Sequence, residues 1–348
     1  MLKGVELDPN TALLAFWLAV HLERLSLYMG LGLLLIIFVI YVRVRSRPAY
    51  DQKPDEIVER APGDRLLGSP KNALPEAKID LDFALLSQAA YDETPHGLNN
   101  RKQNVRSAET DLVARGWSIW PSFGDNRGLP QKLRGAHLRV QVWVNTSKNA
   151  VAITFGGTVL GNEKDWISNL RWFIPFHEDE YTETVKLFNP AFAEEFVNSI
   201  RRKMPDPESV TLYSTGHSLG GGLAQQFAYS LPLSPNVPRV TKAYAFDPSP
   251  VTGYFSVNSK VRRANKTGLL IDRIYERGEI LAYVRSITNF VHAPSAKNAE
   301  IRQIRYNLFN TVNPFRGHSI PELTAQLWDL VYASAAPTRE VWRRPKMW

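Results

Sequence analysis

Between residues 209 and 224 the chain reads Ser209-Val-Thr-Leu-Tyr-Ser-Thr-Gly-His-Ser-Leu-Gly-Gly-Gly-Leu-Ala224. The first part is rich in β-forming residues, and the last part consists of small residues with helical spacing. Between them, Ser218 has a glycine two positions away on each side, Gly216 and Gly220. A serine at a sharp turn between a strand and a helix needs such neighbours, because a Cβ atom would keep the two elements apart. The stretch therefore predicts a nucleophile elbow, although an ordinary glycine-rich turn has the same composition.

A serine at this position would lie beside the N-terminus of a helix, where backbone N–H groups can stabilise a developing oxyanion. We expect the N–H group of Leu219, the residue after the serine, to be one donor. The second donor should come from the loop Phe155-Gly-Gly-Thr158, with the N–H and hydroxyl groups of Thr158 as candidates. The alternative for this loop is a glycine-rich turn with a threonine cap.

Composition limits the classes of function that need to be considered. The chain has 348 residues, enough to bury a sizeable core, and a formal net charge of +8. This charge favours an anionic partner, and we predict a membrane surface rather than nucleic acid, because no nucleic-acid-binding motif accompanies it. The absence of cysteine excludes a thiol nucleophile, thiolate metal ligands and disulfides.

The N-terminal region, residues 1–47, is predicted to be a membrane anchor. Residues 25–42 are uncharged and, as a helix, would reach about 27 Å, close to the thickness of the hydrocarbon layer. A buried core helix is the alternative. Arginines follow the span directly, so the positive-inside rule predicts a single-pass membrane protein with its C-terminal part in the cytoplasm.

Residues 48–75, rich in proline, glycine and charge, are predicted to be a linker, and residues 76–348 a single domain. The domain begins with an amphipathic helix over residues 80–91. A β-hairpin at residues 138–155 and further strands alternating with helices follow it. This alternation predicts an α/β fold with a mainly parallel central sheet flanked by helices.

A serine nucleophile needs a base, and in a fold of this kind the chain order is serine, acid, histidine. The histidines after the elbow are His292 and His318. We predict His318 as the base, because it follows the last strand and immediately precedes the final helix. The alternative is that His318 only caps or packs. His217 adjoins the serine, and we expect its side chain to point away.

Two carboxylates are candidates for the acid that orients this base. Glu279 follows a strand and a turn, which is the position expected of such an acid, and we favour it. Asp247 closes the preceding strand, but Asp-Pro also begins turns for structural reasons, so it remains the alternative.

Three motifs together resemble the class 3, or fungal-type, lipases of the α/β-hydrolase fold. They are Gly216-His-Ser-Leu-Gly-Gly221, Phe155-Gly-Gly-Thr158 followed by Asp165-Trp-Ile-Ser-Asn-Leu170, and Gly278-Glu-Ile-Leu281 with His318 downstream. The family usually has arginine where Gly156 stands and aspartate where Glu279 stands.

The resemblance implies hydrolysis of carboxylic esters of lipids without metal or organic cofactor. It also implies Ser218 as nucleophile, His318 as base and Thr158 as oxyanion donor, with a lid around residues 162–176 that carries Trp166. Independently of the family, an aromatic run that includes Trp172, Phe173 and Phe176 is either core or the lining of an acyl-chain pocket.

We therefore expect a membrane-anchored lipase or phospholipase whose partners are a lipid ester and the bilayer. Two other classes of function stay open. One is a different acyl-transfer enzyme on the same fold, such as a thioesterase or an acyltransferase. The other is a non-catalytic binding module.

Overall fold

A nine-stranded sheet forms the centre of the described part of the chain. The structure, a computed structural model, describes residues 52–92, 108–121, 138–157, 181, 184–250, 252–279, 281, 285, 293–309 and 316–333. In chain order the strands are β1 Glu56–Arg60, β2 Pro70–Asn72, β3 Ser118–Ile119, β4 Val140–Asn145, β5 Ala150–Phe155, β6 Thr211–His217, β7 Val240–Phe246, β8 Leu270–Glu276 and β9 Glu300–Tyr306.

Six α-helices accompany the sheet in these residues. They are α1 Leu74–Asp92, α2 Ala108–Ala114, α3 Asn189–Glu195, α4 Leu219–Ser230, α5 Ser259–Asn265 and α6 Ile320–Ala333. The π-helical turns Thr184–Phe188 and Phe196–Ile200 flank α3, and one further turn, Arg201–Lys203, extends it. The 3₁₀ turns Tyr254–Ser256 and Arg316–His318 precede α5 and α6.

The order of strands across the sheet is β2-β1-β9-β8-β7-β6-β5-β4-β3. The five central strands, β5 to β9, pair in parallel, and the strands at both edges pair antiparallel. The prediction of an α/β fold with a mainly parallel sheet is confirmed. Because the parallel strands run the same way, β6, β7 and β8 end at one edge of the sheet, where the functional site of such folds is found.

Separate hydrophobic clusters cover the two faces of the sheet. On one face, Phe188, Phe192 and Phe227 pack against Phe155 of β5. On the other face, α1 and α6 bury their leucines against the sheet, and Phe83 stacks on Tyr244 with ring centroids 3.7 Å apart. Each buried aromatic side chain contributes about 1.5–3 kcal/mol to the stability of the fold.

Helix α1 differs from the amphipathic helix predicted at residues 80–91. It begins earlier, and its residues 80–90 are buried on every side, including Asp80 and Asp82. The polar groups are tolerated because each has a partner. Tyr306 donates a hydrogen bond to Asp80 at 2.7 Å, and the indole of Trp117 donates one to Asp82 at 3.1 Å.

The predicted linker, residues 48–75, contains two strands of the sheet, so the prediction is wrong over residues 56–72. β1 pairs with the edge of β9, and β2 pairs with β1. Pro70 is compatible with β2, because a short antiparallel edge strand tolerates a missing N–H donor. All of these elements lie in residues 51–348, which form one compact unit.

The predicted membrane span, residues 25–42, lies outside the described residues. Within the residues that the structure describes, no helix combines the length and the apolar character needed to cross a bilayer.

Candidate active site

The turn between β6 and α4 carries Ser218 at its tip. Its backbone has φ 58° and ψ −122°, a conformation that costs a residue with a side chain on the order of 1–3 kcal/mol. A Cβ atom at Gly216 would overlap the carbonyl group of Gly220, and one at Gly220 would overlap that of Phe155. The two glycines are therefore required by close approach of strand and helix, which is the geometry of a nucleophile elbow.

Hydrogen bonds from the neighbouring strand hold this strained turn. The N–H group of Ser218 donates to the carbonyl oxygen of Phe246, the last residue of β7, at 2.9 Å. The N–H group of Ser249 donates to the carbonyl oxygen of Ser218, also at 2.9 Å. The serine is thus fixed by β7 as well as by its own strand and helix.

Leu219 is the first residue of α4, so its N–H group has no acceptor within the helix. The loop after β5 passes close to the elbow, since a Cβ atom at Gly157 would lie 3.0 Å from the carbonyl oxygen of His217. The structure therefore brings together the two segments that were predicted to supply oxyanion donors. Thr158 itself lies outside the described residues.

The space around Gly156 is crowded, so a side chain at this position would require its neighbours to shift. A Cβ atom there would lie 3.0 Å from both the carbonyl oxygen of Ala90 and the Cβ atom of Arg139. The N–H group of Gly156 also donates to the carbonyl oxygen of Arg139 at 3.0 Å. Arg139, on the paired edge of the hairpin, occupies the volume that a side chain at position 156 would need.

His318 ends the short turn before α6 and contacts Glu279. Nδ1 of His318 lies 2.8 Å from Oε2 of Glu279, and both side chains are buried. An ionised carboxylate only accepts hydrogen bonds, so Nδ1 carries the proton and Nε2 has the lone pair of a base. The N–H group of Leu281 donates to the same oxygen at 2.8 Å, which fixes the carboxylate.

Asp247, the alternative acid, faces His217. Its Oδ1 accepts a hydrogen bond from the N–H group of Glu276 at 3.2 Å. Its Oδ2 lies 3.9 Å from Nε2 of His217 and has no hydrogen-bond partner within the described residues. Glu279, not Asp247, is therefore the carboxylate for which the structure records a hydrogen bond to His318.

The prediction that His217 points away from the site is wrong. Its ring centroid lies 4.7 Å from that of His318, so the imidazole of His318 lies beside the elbow. Nδ1 of His217 is 3.0 Å from the hydroxyl oxygen of Tyr91, which belongs to α1. Sequence reasoning missed Tyr91, because a tyrosine at the end of a helix gives no sign of a contact 126 residues away.

His217, Asp247 and His318 each offer one ligand atom within 4.8 Å of the others, a grouping that could hold a metal ion. The guanidinium group of Arg285 lies 3.9 Å from Asp247 Oδ1. A positive charge at this distance disfavours the binding of a cation.

Arg285 is the second residue that sequence reasoning missed. It is 4% exposed and forms an ion pair with Oε1 of Glu279 through Nη2. Its Nη1 donates a hydrogen bond to the carbonyl oxygen of Pro248 at 2.8 Å, and its guanidinium group lies over the ring of Tyr275. No signal in the sequence around Arg285 distinguishes it from the other arginines.

Burial controls the charge states of these groups. It lowers the pKa of His318 to about 3, with a further contribution from Arg285. It also lowers the pKa of His217 well below the usual value, with His318 as a second cause. Burial raises the pKa of Asp247 to about 7, partly opposed by Arg285. Both imidazoles are therefore neutral near pH 7, as a proton acceptor must be.

Of the predicted site residues, the structure brings Ser218, Leu219, His318, Glu279 and Asp247 to one edge of the sheet, where β6, β7 and β8 end. The other predicted residues lie outside the described part of the chain: Thr158, Trp166, Trp172, Phe173 and Phe176.

A protein-family model described as phospholipase-like, a Tle-like phospholipase domain, matches residues 82–232. This range begins within α1 and contains the elbow serine. The match supports the relationship to lipases and phospholipases that the motifs predict. None of the functionally characterised proteins compared with the chain matches it significantly.

Several solved lipase structures are similar to the chain at low identity. The lipase from Rhizopus microsporus var. chinensis is 16% identical, with a TM-score of 0.40 over 68% of this chain and 74% of that one. Lipase II from Rhizopus niveus is 13% identical, with a TM-score of 0.37 over 67% and 79%. Lip2 lipase from Yarrowia lipolytica is 16% identical, with a TM-score of 0.37 over 60% and 74%. TM-scores of this size do not establish a shared fold, so the fold assignment depends on the order of the strands and the geometry of the elbow.

Proposed function

We propose that the chain is a serine hydrolase that cleaves carboxylic esters of lipids. The observation that carries this proposal is the juxtaposition of a strained serine at a strand-to-helix turn with an imidazole that is hydrogen-bonded to a buried carboxylate. A serine hydroxyl alone is a poor nucleophile, and this arrangement supplies the base and the group that orients it. The match to a phospholipase-like family model supports lipid as the substrate class.

In the first half of the proposed reaction, Oγ of Ser218 attacks the ester carbonyl carbon while Nε2 of His318 accepts its proton. The carbonyl oxygen becomes an oxyanion, which the N–H group of Leu219 and a donor from Thr158 stabilise. The tetrahedral intermediate then collapses. The alcohol leaves with the proton from His318, and the acyl group remains on Ser218.

In the second half, His318 accepts a proton from water as the water attacks the acyl-enzyme. A fatty acid is released, and Ser218 recovers its proton. Glu279 holds Nδ1–H of His318 throughout and stabilises the imidazolium that forms twice in each cycle. We assign the acid role to Glu279 rather than Asp247 because of the 2.8 Å contact with the imidazole.

We further propose that the lipid is a phospholipid in an anionic bilayer. The net charge of +8 supports this choice over neutral storage fat, because a basic surface is attracted to anionic headgroups. The aromatic residues Trp166, Trp172, Phe173 and Phe176 are proposed to contact the acyl chains, since large apolar side chains line pockets for apolar ligands.

Fatty acid release from vesicles tests this proposal. We expect release from phosphatidylglycerol vesicles to exceed release from phosphatidylcholine vesicles or a triolein emulsion, because anionic lipid concentrates the basic protein at the surface. Labelling with a fluorophosphonate probe is measured in parallel, with Ser218→Ala as the unreactive control. Labelling without release from any lipid would indicate another acyl-transfer activity, and the absence of labelling would indicate a binding module.

We also propose that residues 25–42 form a single transmembrane helix that places the domain on the cytoplasmic side. The protein should then resist extraction from membranes by alkaline carbonate, and a chain lacking residues 1–47 should be extracted. In inverted vesicles, added protease should digest the domain. Protection of the domain in such vesicles would contradict the orientation.

A further inference from the structure

We propose that Arg285 is a positioning residue for the reaction, acting on His318 through Glu279. This inference depends on the proposed function, because it concerns the group that orients the proposed base. Arg285 has no direct role in bond making. Its contribution is to hold the carboxylate of Glu279 ionised and in place.

Burying an ionised carboxylate such as that of Glu279 costs free energy unless a cation compensates its charge. Glu279 is completely buried, and an isolated ionised carboxylate in such a site would take up a proton instead. A protonated Glu279 could not stabilise an imidazolium at His318. Arg285 supplies the compensating charge, since its Nη2 contacts Oε1 of Glu279 while Oε2 remains on His318.

Arg285 itself is fixed from several sides. Nη1 donates to the carbonyl oxygen of Pro248, which lies in the loop that follows β7. The next residue, Ser249, donates the hydrogen bond to the carbonyl oxygen of Ser218. The ring of Tyr275 covers the guanidinium group at 4.9 Å. The side chain therefore ties the segment of Glu279 to the segment that holds the elbow.

The two carboxylates near the guanidinium group of Arg285 differ in their distance from it. Glu279 forms an ion pair with Arg285, but Asp247 lies 3.9 Å from it, outside hydrogen-bond range. Burial raises the pKa of Asp247 to about 7, so Asp247 is only partly ionised near neutral pH. The position of Arg285 thus favours charge on the carboxylate that contacts His318.

Charged and titratable groups from the ends of β6 and β7 and from β8 surround the pair formed by Glu279 and Arg285. His217 at the end of β6 faces His318, and Asp247 at the end of β7 faces both His217 and Arg285. Tyr275 and Arg273 of β8 influence the pKa of Arg285, and the charge of Asp247 contributes to the raised pKa of Glu276 in β8. Among the described residues, Arg285 is the cation with a recorded contact to Glu279.

The test is the pH profile of kcat/KM for a soluble nitrophenyl ester, measured with the full chain. For Arg285→Gln we expect the acid limb to move to higher pH by about 1–3 units, because an adjacent arginine lowers a carboxylate pKa by that amount. Arg285 also lowers the pKa of His318 directly, and the loss of that effect moves the limb in the same direction, so the double variant described below separates the two routes. Arg285→Lys, which keeps the charge, should restore most of the shift.

Arg305→Met is the matched control. Arg305 is also a buried arginine, but it lies in β9 and its Nε donates to Oε1 of Gln52 at 3.2 Å. We expect this variant to unfold at a lower temperature without moving the acid limb. If the acid limb of the Arg285→Gln profile coincides with that of the wild type, the proposal is overturned, however much kcat/KM has fallen.

A double variant keeps the proposal testable if Arg285→Gln does not fold. Glu279→Gln combined with Arg285→Gln removes both buried charges, which is milder than removing one. Because Arg285 acts through Glu279, the double variant should have the same kcat/KM as Glu279→Gln alone. A further loss of tenfold or more would overturn the proposal. Failure of the proposed function itself would be visible separately, as an inactive wild type.

Discussion

Ser218→Ala is expected to lower kcat for a short-chain nitrophenyl ester by about 10⁶-fold, because no other group can form the acyl-enzyme. The residual rate should reflect only the acceleration that the oxyanion donors and substrate binding provide. The measurement is the steady-state rate of nitrophenol release, with burst kinetics to titrate active sites in the wild type.

Ser214→Ala is the matched control for this change. Ser214 lies on the same strand and donates a hydrogen bond to the carbonyl oxygen of Ala224 at 2.9 Å. Its loss should cost about 1 kcal/mol of stability and leave the rate within a few fold. A Ser218→Ala protein that retains more than a small percentage of wild-type activity would refute the assignment of the nucleophile.

Ser218→Gly separates chemistry from folding. Glycine adopts the conformation with φ 58° and ψ −122° without the strain that a side chain brings. The variant should therefore be as inactive as Ser218→Ala and unfold at a higher temperature than the wild type.

The second large effect distinguishes the two candidate acids. Glu279→Gln is expected to lower kcat by about 10⁴-fold, because an amide cannot hold the proton-bearing Nδ1 of His318 as a carboxylate does. Asp247→Asn should cost far less. With its pKa raised to about 7, Asp247 is about half neutral at that pH, and asparagine resembles the neutral form.

The comparison is made on kcat at pH 7, with circular dichroism to confirm that both variants are folded. A larger loss for Asp247→Asn than for Glu279→Gln would reverse the assignment of the acid. Equal losses in kcat would indicate that Glu279 and Asp247 contribute to catalysis together, with Arg285 lying between them.

The parts of the site that could be predicted from the sequence are those that local chemistry specifies. Ser218 and its glycines, between a β-rich stretch and a small-residue helical stretch, form a pattern that favours a strand-to-helix turn, and Leu219 follows by adjacency. His318 and Glu279 could be predicted because the chain order serine, acid, histidine restricts where the acid and the base can lie.

The remaining features depend on neighbours that are distant in the sequence. Arg285, Tyr91 and His217 acquire their roles only when the ends of β6, β7 and β8 meet the loop before α6. Helix α1 was predicted to be amphipathic from the spacing of its leucines, but α6 and the sheet bury residues 80–90 on every side. β1 and β2 were missed because they are only five and three residues long and lie in a proline-rich segment that resembles a linker. They form strands because β9 offers an edge for pairing.

The bonds that fix the elbow have a consequence for the newly made protein. The turn at Ser218 depends on Phe246 and Ser249, and the imidazole beside it arrives 100 residues after the serine, at His318. A nascent chain that has left the ribosome only as far as α4 has the hydroxyl without the strand that bends it or the ring that would activate it. Pairing over such separations in the chain is slow to form. In the proposed mechanism, Ser218 therefore becomes reactive only after the segment that carries His318 has been made and has packed beside the elbow.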